Sequence, residues 1–113
     1  MTEQEIFNIA WDWFITQNKP RSVSRTMCLY RGPDGARCVA GLFIPDELYR
    51  GSLEGRNLYD QEVAECLSED AMPHRAFIRE LQHIHDDVAG GPHIARELFV
   101  TFARKHQLEV PNG

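Results

Sequence analysis

Three groupings of side chains in this sequence have residue types that could do chemistry. The first is Cys28 with Cys38, joined by His83 or His85 from further along the chain. Zinc takes thiolate and imidazole ligands in a tetrahedron, and a structural site closes with four of them. The Cys-x9-Cys spacing is wider than a zinc knuckle, which has roughly two to four intervening residues, so Cys66 or a second histidine would have to complete the set. Free cysteine is among the most buried residue types. Both thiols are therefore expected in the core, reduced and without metal. The second grouping is His83-Ile84-His85-Asp86-Asp87. Residues two apart point about 200° apart around a helix, so His83 and His85 do not share an ion. His85 falls on an apolar stripe and is expected to anchor the structure, while acids at a helix C-terminus oppose the dipole and imply a specific partner for Asp86 or Asp87. The third is a thiolate pair, Cys28 or Cys38 with His85. No nucleophile elbow accompanies it, and no glycine-rich phosphate loop occurs anywhere in the chain.

The elements that must position these residues are read from spacing. Thr2-x-x-Glu5 is a capping box, and Ile6, Ile9, Ala10, Trp13 and Phe14 follow at helical intervals until Asn18 and Pro20. Gly32-Pro33-Asp34-Gly35 is hairpin turn chemistry, with Gly35 suited to positive φ. It predicts strands near 27–31 and 37–44, with Tyr30 opposite Cys38 and Cys28 opposite Ala40. Residues 45–49 read as a helical turn and 50–57 as a loop. Leu58 to Leu67 reads as a short helix with Leu58, Val63 and Leu67 inward. Pro73 opens a helix to about Val88, ended by Gly90-Gly91, along the stripe Phe77, Ile78, Leu81, Ile84, His85, Val88. Pro92 opens the last helix, with Ile94, Ala95, Leu98, Phe99, Phe102 and Ala103 inward, and Leu108 and Val110 are expected to tuck the tail back. The expected class is α+β: a short antiparallel β-hairpin or sheet packed against about four helices.

With 113 residues, the chain suits a single domain, 1–113. It is 42% hydrophobic and 26% charged, which excludes a disordered chain, and no apolar run is long enough for a membrane. The acidic start Met1-Thr2-Glu3-Gln4-Glu5 is unlike a secretory signal, so a cytoplasmic location is expected. The net charge of −5 argues against direct nucleic-acid binding. Its distribution is uneven: Lys19, Arg21, Arg25, Arg31 and Arg37 lie together, and Asp60, Glu62, Glu65, Glu69 and Asp70 lie together. Such segregation steers charged partners. The expected partner-binding residues are therefore Asp60, Glu62, Glu65, Glu69 and Asp70, with Arg31, Arg37 and Tyr49 as the second surface.

The central run Cys28-Leu29-Tyr30-Arg31-Gly32-Pro33-Asp34-Gly35-Ala36-Arg37-Cys38-Val39-Ala40-Gly41, then Ile44-Pro45-Asp46, Tyr49, Leu81-Gln82 and His85-Asp86, resembles a group of small bacteriophage and prophage proteins. The group shares a Cys-x-Tyr-Arg-Gly-Pro-Asp-Gly-x-x-Cys core. The resemblance covers residues 28–86 and implies a phage accessory protein, acting in the host cytoplasm, with no activity transferred. Small size, acidity and the 60–70 carboxylates then point to a non-enzymatic binder of a host protein or nucleoprotein complex, working by steric block or nucleic-acid mimicry. An inhibitor of a bacterial defence system, such as an anti-CRISPR protein, is the special case. No cofactor is expected. The alternatives are a small metal- or thiol-dependent enzyme or small-molecule binder using Cys28, Cys38, His85 and Asp86, and a plain oligomerisation module.

Overall fold

The computed structural model describes residues 1–19, 23–24, 27–32, 35–86 and 92–111. Thr2 opens helix α1, Glu3–Trp11, as the capping box requires: its hydroxyl accepts from the Glu5 amide at 3.1 Å, and Glu5 Oε1 accepts from the Thr2 amide at 2.8 Å. The bond from the Thr2 amide, first, and then the Thr2 side chain beside it hold the Glu5 carboxyl below its ordinary range. From Asp12 to Thr16 the helix widens into π geometry, the Gln17 amide reaching the Asp12 carbonyl at 2.8 Å. Helix α2, Gln61–Cys66, starts at Asp60, whose carboxylate accepts from the Glu62 amide at 3.0 Å. It buries Val63 and Cys66, and Leu58 and Leu67 on either side are buried too. A 3-10 turn, Met72–His74, leads into α3, Arg75–Asp86, and α4 spans Pro92–Lys105.

The core is aromatic and joins the two ends of the chain. Phe7 of α1 lies 6.1 Å from Phe99 and 6.2 Å from Phe102 of α4, and Phe77 of α3 lies 5.1 Å from Phe102, between ring centres. Such pairs add roughly 0.5–1.5 kcal/mol each beyond area burial. Ile78 and Leu81 of α3 are fully buried beside them. On the rim, Glu80 of α3 pairs with Lys105 and, at 3.1 Å, with His106, and the Lys105 hydrogen bond is the main cause holding the Glu80 carboxyl below its ordinary range. Leu108 packs against the core, but Val110 is 36% exposed and does not tuck back as expected. Val88 and Gly90-Gly91 lie outside the described residues. Among the described residues, no helix is long and apolar enough to cross a membrane.

The α+β class is corrected: the described chain is a mostly helical globule with four helices, and no β-hairpin packs against them. The strands expected near 27–31 and 37–44 do not form. Among the described residues, pairing is reduced to two residues a side, Val23–Ser24 against Met27–Cys28, and one isolated bridge, Arg31 to Arg37. The turn chemistry holds at that bridge. The Gly32 amide donates to the Ala36 carbonyl at 2.8 Å, and Gly35 has φ 76°. Beyond it, residues Ala40–Phe43 coil into a 3-10 turn.

The cause is where the backbone donors go. Buried N–H groups must find acceptors, and here side chains supply them. The Tyr30 and Arg31 amides donate to the Glu54 carboxylate at 2.8 and 3.1 Å, and the Ala40 amide donates to Gln82 Oε1 at 2.8 Å. Gly41 then presses directly on the Tyr30 backbone, so closely that a Cβ would sit 2.0 Å from the Tyr30 carbonyl oxygen. Tyr30 and Cys38 are both buried, with no ladder between them.

Candidate functional site

Glu54 organises the first polar cluster. Besides the two amides, it accepts from the Tyr49 hydroxyl at 2.7 Å. Desolvation, then this bond to a carboxylate, pushes the Tyr49 phenol up to about 12. Arg31 lies over the Tyr49 ring, 4.8 Å from its centre, and donates to the Ile44 carbonyl at 2.9 Å and to Asp46 at 2.6 Å. Arg37 reaches the same Asp46 oxygen at 3.4 Å and lies 5.7 Å from the Trp13 ring centre. The Tyr30 hydroxyl donates to the Arg56 carbonyl. Arg31, Arg37 and Tyr49, read from the sequence as a second partner surface, are thus brought together and tied to one another through acids of the chain itself.

The acidic segment divides in two. Asp60 caps α2 and pairs with Arg56 at 3.2 Å, while Glu62 accepts from Ser52 at 2.9 Å and pairs with Arg50 at 3.2 Å and Arg56 at 3.5 Å. Among the described residues, Glu65 accepts only from the Gln61 amide group of its own helix, at 3.0 Å. Glu69 and Asp70 are exposed. Among the described residues, Glu65, Glu69 and Asp70 have no cationic partner.

A third constellation escaped the sequence reading. Tyr59 is 47% exposed, and Arg75 and Arg79 lie 5.0 and 5.3 Å from its ring centre. The i, i+4 spacing of the two arginines puts them on one face of α3; that spacing, next to an exposed aromatic before a helix cap, was the available signal. Glu54 offered none, since it sat in a segment read only as loop.

The thiols are built into the interior. Cys38 is buried and accepts from the Gly41 amide at 3.4 Å; Cys66 is buried and accepts from Arg50 at 3.6 Å; both are free. The side chains of Cys28, His85 and Asp86 lie outside the described residues, so of the proposed thiol or metal set only Cys38 is placed. Among the described residues, no three His, Cys, Asp or Glu side chains come together as a metal-holding group. An open dent on α4 is lined by Arg96, Glu97, Val100, Thr101 and Arg104, away from these clusters. Comparison with protein-family models, curated proteins and solved structures found no match.

Proposed function

We propose that this chain is a phage-type accessory protein that acts in the bacterial host cytoplasm by binding a host macromolecule. The partner is a nucleic-acid-handling protein or nucleoprotein complex, and a host defence system is the special case. One observation carries the reading: Glu65, Glu69 and Asp70 are exposed neighbours with no cation of the chain against them, among the described residues. Proteins that handle nucleic acid present basic surfaces, and unpaired carboxylates complement them. The motif residues that resemble phage proteins support the same view. Tyr30, Arg31, Gly41, Asp46, Tyr49 and Gln82 are engaged in holding the chain path, which leaves recognition to the surface beyond them.

The test is capture from a host lysate with the parent protein and with E65K/E69K/D70K. The parent should retain a basic host protein or complex. The variant should lose it at unchanged melting temperature, and raised salt should reproduce the loss with the parent. Capture indifferent to both the reversal and ionic strength would end this reading. Asp60 and Glu62 are left intact in the variant, because their ion pairs hold the 50–62 loop.

A further inference from the structure

Residues 59–79 present both signs of unpaired charge on one short stretch of chain. The Tyr59 ring lies against the guanidiniums of Arg75 and Arg79, and neither arginine has an acidic partner among the described residues. Packing on a ring leaves guanidinium N–H edges free for a carboxylate. Met72, 43% exposed, lies between the arginines and the acids in sequence and adds apolar surface. The unpaired carboxylates Glu65, Glu69 and Asp70 belong to the same stretch.

We propose that this face binds a second copy of the chain. A two-fold axis sets the same patch against itself, so that each residue pair occurs twice. The Arg75–Arg79 pair of one copy then meets Glu65, Glu69 and Asp70 of the other, and the reverse contact repeats across the axis. Tyrosine, methionine and arginine are enriched at protein interfaces, and tyrosine and arginine are among the side chains that contribute most to binding there. A polyphosphate occupant fits worse: the acids beside the arginines and the net charge of −5 both repel it. The proposal rests on Glu65, Glu69 and Asp70 being a docking surface, and adds that self-association covers that surface until a basic partner competes for it.

The test is sedimentation velocity of the full chain over rising concentration at low salt. The parent should pass from monomer to dimer, and raised salt should move the transition to higher concentration. R75E/R79E and E65K/E69K/D70K should each remain monomeric, because like charges now face each other. Mixed in equal amounts, the two variants should recover a heterodimer: the new acids at 75 and 79 face the new lysines, and the native acids face the native arginines. Circular dichroism and melting temperature confirm that each variant is folded. A parent that stays monomeric throughout, leaving the face to an acidic host protein, overturns the proposal, as does a mixture that fails to associate. Neither result depends on host capture, so failure of the host-binding reading is seen separately.

Discussion

Arg31 and Arg75 are each laid against a tyrosine at about the same separation, 4.8 and 5.0 Å, yet they belong to opposite kinds of region. Around Arg31 the chain supplies Asp46 and the Ile44 carbonyl to the guanidinium and Glu54 to the backbone amide, so the charge is answered from within, although Nε is buried without a partner. Around Arg75 and Arg79, among the described residues, the Tyr59 ring answers and no carboxylate pairs with either guanidinium. The same two residue types make a strut in one place and an adhesive face in the other. What decides is whether a carboxylate of the chain reaches the guanidinium.

The strongest way to break the contrast is Glu54→Ala. It strips an acceptor from two backbone amides and the Tyr49 hydroxyl, and partly buried donors left without acceptors cost about 1–3 kcal/mol. Urea unfolding should show a loss of about 3 kcal/mol; an unchanged midpoint would make the Glu54 cluster ornamental. Arg31→Ala comes next, at about 2 kcal/mol, from a lost charge-assisted bond and ring contact, read from the same curves.

Tyr49 sharpens the comparison through pH. Its folded pKa, about 12, lies above its ordinary 10.0, so the folded state favours the protonated phenol. The resulting stability is fully present below pH 10 and is lost as pH rises through 12. Tyr49→Phe should flatten that alkaline limb of the melting temperature. The smallest effect belongs to the other region: Arg75→Ala and Arg79→Ala should each stay within about 0.5 kcal/mol of the parent. A loss several times larger in thermal unfolding of the monomer would turn these arginines into struts as well.

What was legible in the sequence was local. The capping box at Thr2, the inward Leu58, Val63 and Leu67, the Phe77-Ile78-Leu81 stripe and the positive φ of Gly35 each depend on neighbours within a few residues. The hairpin failed because its fate is set at long range. Glu54 lies 24 residues from Tyr30, Gln82 lies 42 residues from Ala40, and their side chains take the amides a ladder would have used. Pattern reading assigns those donors to the nearest strand, since nothing local announces a competing side chain. The charged surface followed the same rule. The acidity of 60–70 was visible, but Arg50 and Arg56 engage only its first half, which is a fact of the folded chain.

The packing of Phe7 against Phe99 and Phe102 has a consequence for how the protein is made. Helix α1 is synthesised well before its aromatic partners, which sit in α4. A helix cannot dock on a packing surface that has not yet been synthesised. It waits on the nascent chain with Phe7 and Trp11 uncovered, and folding completes only once the polypeptide through Phe102 has emerged.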